Sequence, residues 1–295
     1  MTTRYPITHP QRRILYTELI NNAPNTYNFV GTMNFKSGEA EAVKAALRAA
    51  MADTPNLSIQ FHMEDNGELT FYNATDEITI DEQKESPDST ISVHTFEQIY
   101  DVPLYHFLLI EGKDNLSLRM SFHHALCDGN ALDLFAQKVS HRYQNGSPAP
   151  LKDRPYTEYA ACEQDYLHSD ALEADKNYWL TTLADASDFD CEPESSTNFT
   201  LGYERFEFSE ALKTKISDFS AAQENRISPF LFALTAAGLF FSKRNGKNGL
   251  LFNLGEGGRR HLEDFSETTG MMVSLVPLKL QFPPSATFNE LLSQT

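Results

Sequence analysis

The sequence has no closely spaced pair of cysteines, few basic residues and no long apolar run. Each of these shortages argues against a class of protein. Its three cysteines, Cys127, Cys162 and Cys191, include no C-x-x-C pair, which argues against a disulfide framework and favours free thiols in a reducing compartment. No apolar run is long enough to span a bilayer, and the N-terminus shows no signal-peptide core. We therefore expect a cytoplasmic protein without a membrane partner.

Acidic residues outnumber basic residues in the chain as a whole. The 295 residues carry 24 Lys and Arg against 41 Asp and Glu, which gives a formal net charge of −17. Nucleic-acid binding requires a basic surface, so this balance predicts no nucleic-acid partner. The hydrophobic share of 41% is that of a globular protein, and the length suits one large domain or two ordinary ones.

Helical and strand patterns alternate along the chain, which predicts an α/β protein. Residues 115–122 alternate apolar and polar side chains and are expected to form a half-buried strand that leads into His123. Residues 228–246 are apolar nearly all round, with Ser228 as N-cap, and are expected to form a buried core helix. The acidic, serine-rich residues 185–198 predict a linker.

The most informative stretch is "SFHHALCDG", residues 121–129. On an extended strand His123 and His124 point to opposite faces, so they cannot bind one metal ion together, and we predict no metal site. A histidine at a strand end can be an ordinary buried polar residue. The alternative is a general base: a turn ending at Gly129, which permits a tight backbone, would bond Nδ1 of His124 to a carbonyl and leave Nε2 free. Asp128 would support the turn through an arginine, or would only cap the helix that follows.

The pattern H-H-x-x-x-D-G at a strand end resembles the superfamily of chloramphenicol acetyltransferase and the condensation domains of nonribosomal peptide synthetases. Its position at 123–129, with much chain following, resembles the condensation domains. Other stretches are similar to the family's signatures in the same order: "YPITHPQRRILYTEL", "PYTEYAACEQDYL", "NYWLTTLADA" and "GEGGRRHLEDFSETTGMMVSLVPLKL". The family's last signatures are not found, so we expect a C-terminally incomplete fold.

The resemblance implies a chloramphenicol acetyltransferase-like fold, an α+β two-layer sandwich of two related lobes set in a V with the second lobe truncated. We expect a first lobe over residues 1–184, the linker over 185–198 and a partial second lobe over 199–295. The implied reaction is acyl transfer from a thioester to an amine or alcohol in nonribosomal peptide or related synthesis. His124 is the implied catalytic residue, supported by His123, Asp128 and Gly129. Substrates would arrive on phosphopantetheine of carrier proteins or neighbouring synthetase domains, or on coenzyme A, and no cofactor is expected to stay bound.

Two positions depart from the family pattern. Ser58 stands where an arginine usually pairs with the motif aspartate, and Ser274 stands where the family has asparagine. We therefore expect Asp128 to pair with Arg260 or Arg259, and otherwise with Arg12 or Arg13. Two alternatives stay open: a free-standing acyltransferase that uses coenzyme A, and a degenerate docking module without activity, which the two serines favour. An uncovered strand edge in "MMVSLVPLKLQF" also predicts self-association.

Overall fold

The computed structural model describes residues 2–21, 26–85, 94–186, 189, 206–222, 228–259 and 263–294. In this part of the chain strands and helices alternate only up to residue 52, and a run of five strands and then a run of five helices follow. The alternation expected along the whole chain is therefore found only in its first part. The helices are α1 His9–Asn21, α2 Ala40–Ala52, α3 Gly129–Asn145, α4 Tyr156–Leu167, α5 Asp170–Thr182, α6 Glu210–Ala222, α7 Pro229–Arg244 and α8 Phe288–Gln294. The strands are β1 Tyr5–Pro6, β2 Asn28–Lys36, β3 Ile59–Met63, β4 Leu69–Asn73, β5 Ile80–Lys84, β6 Tyr105–Glu111, β7 Asn115–His123, β8 Gly249–Glu256 and β9 Ser274–Gln281.

A four-stranded sheet in the order β2-β7-β6-β5 positions the histidine motif. β7 is its central strand and pairs antiparallel with β2 and β6, with Asn28 opposite His123. Alternate residues of β7, namely Leu116, Leu118, Met120 and Phe122, are buried in the main apolar cluster, which also contains residues of α2 and α3. The alternation predicted from the sequence is therefore present along β7.

The edge strand β5 was not predicted. It runs parallel to β6, and four of its five residues, "DEQK", are exposed. Charged side chains suit an edge strand because they discourage pairing with a further strand. They also remove the apolar alternation from which a strand is recognised, so nothing local in the sequence indicates it.

The chain forms two compact units. The first contains residues 1–172 together with 256–274, and the second contains 173–255 and 275–295. These bounds differ from the division at 1–184, 185–198 and 199–295 expected from the sequence, because the segment 256–274 packs within the first unit. Within the predicted linker only residues 185, 186 and 189 belong to the described part, and the remainder lies outside it.

The expectation that α7 is a buried core helix is wrong. Its buried residues are the small ones, Thr235, Gly238 and Ser242, while Phe230 and Phe240 are about three-fifths exposed at 58% and 60%. A β-carbon on Gly238 would lie 3.0 Å from Phe282 and 3.1 Å from Leu280, so the small face allows close approach to these residues. No helix in the described part is long and apolar enough to cross a membrane.

Candidate active site

The histidine motif lies where β7 turns into α3. β7 ends at His123, a turn follows over His124 to Leu126, and α3 begins at Gly129. Backbone hydrogen bonds fix the chain on both sides of this turn. The His123 amide donates to the Leu104 carbonyl at 3.0 Å, and the His124 amide donates to the Tyr27 carbonyl at 2.7 Å. The backbone that carries the two imidazoles is therefore held by neighbouring segments.

His123 is fully buried and both of its ring nitrogens are bonded. Nε2 lies 2.9 Å from Oε2 of Glu18 on α1, and Nδ1 accepts the amide of Ala125 at 3.2 Å. Since Nδ1 accepts a hydrogen bond, the ring proton is on Nε2 and is donated to the Glu18 carboxylate. The ring of Phe96 packs against His123 edge-on, with the centroids 6.3 Å apart. His123 thus has the surroundings of a structural residue.

His124 is partly exposed and packs on Phe29 of β2, with ring centroids 5.0 Å apart. Its pKa is lowered, chiefly because burial disfavours the charged imidazolium. The carbonyl of His124 itself and the Asp128 carboxylate act in the opposite direction on that pKa, while His123 and Arg13 lower it further. The ring is therefore neutral near pH 7 and can accept a proton.

The expected bond from Nδ1 of His124 to a carbonyl is not formed. Nδ1 is buried and has no hydrogen-bond partner among the described residues. The residue's own carbonyl influences the pKa but does not meet the geometry of a hydrogen bond to Nδ1. The ring is held instead by its backbone bond to Tyr27 and by its contact with Phe29.

Asp128 is completely buried and accepts five hydrogen bonds. Arg259 reaches both carboxylate oxygens, from Nη2 to Oδ1 and from Nη1 to Oδ2, each at 2.8 Å. Oδ1 also accepts the Ala131 amide at 2.9 Å, and Oδ2 accepts the amides of Met272 and Val273 at 3.0 and 3.2 Å. The aspartate therefore caps α3 and pairs with an arginine at once, so the two alternatives left open by the sequence coexist. These hydrogen bonds offset the free-energy cost of burying the carboxylate charge, which would be high without them.

The four arginines proposed as partners of Asp128 differ in whether they contact it. Arg259 is 5% exposed, forms the pair, and also donates to the carbonyls of Gly257, Thr268 and Gly270. Arg13 instead donates to the Val273 carbonyl at 3.2 Å, and Arg12 is exposed on α1. Arg260 lies outside the described residues. Arg259 meets the need that arises from serine at position 58, so Ser58 does not leave Asp128 uncompensated.

Gly129 and Cys127 lie in the motif, but their surroundings support a smaller chemical role than that position indicates. Gly129 does not have a positive φ, and no atom lies within 4 Å of a β-carbon built there, so the expected tight backbone does not explain the glycine. Cys127 is fully buried, and burial raises its pKa well above the ordinary value, which keeps the thiol protonated and unreactive. Among the described residues no three His, Cys, Asp or Glu side chains converge as metal ligands.

Sequence reasoning missed two parts of the site. Glu18 and the amides of Met272 and Val273 bind the motif from 105 and more than 140 residues away in the chain. A single glutamate on a helix carries no local signal, and a backbone amide carries none at all. The resulting arrangement can perform proton transfer: a neutral, partly exposed imidazole stands on a backbone fixed by a buried ion pair.

The family model described as the condensation domain matches residues 1–295. Surfactin synthase subunit 1 of Bacillus subtilis (strain 168) is 25% identical over 98% of the chain, and gramicidin S synthase 2 of Aneurinibacillus migulanus is 26% identical over 99%. The chain spans only 9% and 7% of these relatives' lengths.

Two solved structures share the fold. The first condensation domain of the calcium-dependent antibiotic synthetase, in complex with a substrate analogue, superposes with a TM-score of 0.80 at 16% identity, covering 99% of this chain and 72% of that one. The starter condensation domain of rhizomide synthetase, in complex with C8-CoA, superposes with a TM-score of 0.77 at 18% identity, covering 99% of this chain and 70% of that one. The predicted α/β fold of the chloramphenicol acetyltransferase type is confirmed by these matches.

Proposed function

The chain belongs to the condensation-domain family, and from this premise we propose that it catalyses acyl transfer from a thioester to an amine, forming an amide in nonribosomal peptide synthesis. Condensation domains are acyltransferases that form peptide bonds, and the relatives named above are peptide synthetases. The observation that carries the proposal is the neutral His124 ring on a turn whose Asp128 is clamped by Arg259 and by the amides of 272 and 273.

The proposed chemistry uses His124 as the proton acceptor. The amine nitrogen of the acceptor attacks the thioester carbonyl carbon, a C–N bond forms, and the nitrogen's proton passes to the imidazole. The C–S bond then breaks, and the proton passes from the imidazole to the departing thiolate, which leaves as a thiol. Because Nδ1 is buried, Nε2 is the ring nitrogen that would meet the substrate. Glu18, Asp128 and Arg259 would hold the backbone of this turn in place throughout.

The donor and acceptor are proposed to arrive on the phosphopantetheine arms of carrier proteins, supplied by neighbouring domains of a synthetase in the cytoplasm. The relatives named above support this, since each is a synthetase many times longer than this chain. A coenzyme A thioester is the second candidate donor, because a structure with the same fold was solved with C8-CoA. The two donors share the pantetheine thioester, so the chemistry at His124 would be the same.

The test is acyl transfer by His124→Ala against the parent chain. Loss of a positioned proton acceptor typically lowers the rate by about two to four orders of magnitude, with the fold retained. His141→Ala is the matched control, since His141 also lies in the described part of the chain, on α3, and its Nδ1 bonds to the Ser147 carbonyl. Amide formation is measured with an acyl-loaded carrier protein and, separately, with acyl-coenzyme A as donor. Equal rates for His124→Ala and the parent would exclude the catalytic role and leave the docking module.

A further inference from the structure

The carboxylate of Glu18 lies between the two segments that hold His124. Glu18 is on α1 and is only 4% exposed. Its Oε2 accepts the Nε2 proton of His123 at 2.9 Å. Its Oε1 accepts the amide of Tyr27 at a longer 3.4 Å. Both partners adjoin His124: His123 precedes it in the chain, and the carbonyl of Tyr27 accepts the His124 amide.

From this arrangement we infer that Glu18 is a positioning residue for acyl transfer, which fixes His124 without touching the substrate. One arm runs through His123, whose other nitrogen accepts the Ala125 amide just beyond His124. The second arm runs through the Tyr27 peptide. A carboxylate is suited to this place because it only accepts hydrogen bonds and has two oxygens, one for each arm. The inference rests on the function proposed above and names a further residue for that reaction.

Glu18 acts through geometry and not through its charge on the imidazole. The pKa of His124 is affected most strongly by burial of the ring, and then by its own carbonyl, Asp128, His123 and Arg13. Losing a negative charge nearby would lower a histidine pKa, whereas loosening the ring would let water reach it and raise the pKa towards the ordinary 6.5. The direction of the change in His124 therefore distinguishes lost positioning from lost charge.

The matched control is Glu163→Ala. Glu163 is likewise a buried glutamate, 8% exposed, that accepts a backbone amide at the other end of α1, that of His9. It has no contact with His123 or Tyr27 among its described hydrogen bonds. Truncating it removes a comparable buried carboxylate from the same helix environment. A loss of rate that merely followed lower stability would therefore appear in both variants.

The first measurement does not depend on acyl transfer. The chain is labelled with ¹⁵N-histidine, and long-range proton–nitrogen spectra report the tautomer and the pKa of each ring, with the rings of 123 and 124 assigned by loss of signal in His123→Asn and His124→Ala. The parent should show His123 as the Nε2–H tautomer. Glu18→Ala should lose that single tautomer and raise the pKa of His124, while Glu18→Gln, whose one acceptor oxygen can serve His123 but not Tyr27 as well, should keep the His123 tautomer.

The second measurement is the kinetics of acyl transfer. Glu18→Ala should lower kcat by about 10- to 100-fold, since a small displacement of a catalytic group has effects of this size, while KM stays within about twofold. Glu18→Gln, which keeps the acceptor for His123 but not the one for Tyr27, should have a kcat between those of Glu18→Ala and the parent, and Glu163→Ala should stay within about twofold of the parent. If Glu18→Ala does not fold, Glu18→Asp, which is too short to reach both partners, should show the same loss of kcat.

Two results would overturn the inference. One is unchanged kcat in Glu18→Ala or, where that variant does not fold, in Glu18→Asp; the other is an equal fall of kcat in Glu163→Ala. If the parent itself transfers no acyl group, the proposed function has failed, and the spectra alone decide the positioning role. In that case an unchanged His123 tautomer and an unchanged or lowered His124 pKa in Glu18→Ala would refute it.

Discussion

The residue that most depends on its partner is Asp128. It is completely buried, and Arg259 is the cation that neutralises it through two hydrogen bonds of 2.8 Å. A buried pair of this kind is not itself strong evidence for stability, because both charges were desolvated to form it. Removing one member is a different matter, since the remaining charge stays buried.

Arg259→Ala is therefore expected to lower the free energy of unfolding by about 3–5 kcal/mol. Arg142→Ala is the control: Arg142 also contacts an aspartate, Asp53, through two nitrogens, but both side chains are about one-fifth exposed. Its loss should lower the free energy of unfolding much less than Arg259→Ala does, because water replaces much of the interaction. Urea unfolding of the three proteins measures both values. Similar losses in the two variants would contradict the role assigned to the buried pair.

At the scale of elements, helix α1 is held at its first turn by a carboxylate from α4. Both oxygens of Glu163 accept the amide of His9, at 3.0 and 2.8 Å, which satisfies one of the unpaired amides at the start of the helix. Burial raises the pKa of Glu163 to about 7, while the His9 amide and the charge of Arg12 act to lower it. The junction between these helices is thus sensitive to pH.

The raised pKa of Glu163 predicts a loss of stability with rising pH. In the unfolded chain the carboxyl ionises near 4.5, whereas in the folded chain it keeps its proton up to about 7. Between these values the folded state binds more protons, so the free energy of unfolding falls as pH rises, by ~3 kcal/mol in total. The contribution is fully present below pH 4.5 and is lost above pH 7.

Glu163→Gln, which cannot ionise, should remove this pH dependence. The measurement is urea unfolding of the parent and the variant at intervals from pH 4.5 to 7.5, and the difference between the two proteins isolates position 163. Stability should fall less steeply over this interval in the variant than in the parent. Parallel curves would show that Glu163 does not titrate differently in the folded and unfolded states.

At the scale of the whole molecule, the two compact units differ in how much core they possess. The first has a large cluster of buried apolar side chains from α1 to α4 and from its sheets. The cluster of the second consists of Leu250, Leu280, Phe282 and Leu291, with a few partly buried neighbours. In the described part of the second unit, large apolar side chains such as Phe206 and Phe240 are exposed.

This difference predicts unequal protection of backbone amides from hydrogen exchange. Local opening requires less free energy where fewer apolar contacts are lost, so amides of α7 should exchange faster than those of α3. The two helices are a matched pair, with 16 and 17 residues. Exchange followed by mass spectrometry at neutral pH measures both. Equal protection would mean that the small core of the second unit does not limit its stability.

Self-association through a strand edge of β9 also stays a prediction, and β8 is its strand partner in the described sheet.

The sequence by itself determined what depends on local spacing. Alternation of apolar and polar residues predicted strand β7, the order of signatures identified the family, and the residues after Asp128 began a helix that its side chain caps. These features follow from periods of two and 3.6 residues and from capping, which act between near neighbours. The edge strand β5 was not predicted from the sequence because its exposed side chains are charged or polar.

Only the tertiary structure decided which distant residues complete the site. Glu18 contacts His123 across 105 residues of chain, and Arg259 contacts Asp128 across 131. At such separations a local sequence pattern does not indicate which two residues meet. The partly exposed face of α7 was also decided by packing, since Gly238 lies against Leu280 and Phe282 while Phe230 and Phe240 are exposed. A buried charge needs a partner, so the sequence could predict that Asp128 has one. Which arginine it is depends on how the chain returns to it, and that is set by the packing of the segment 256–274 within the first unit.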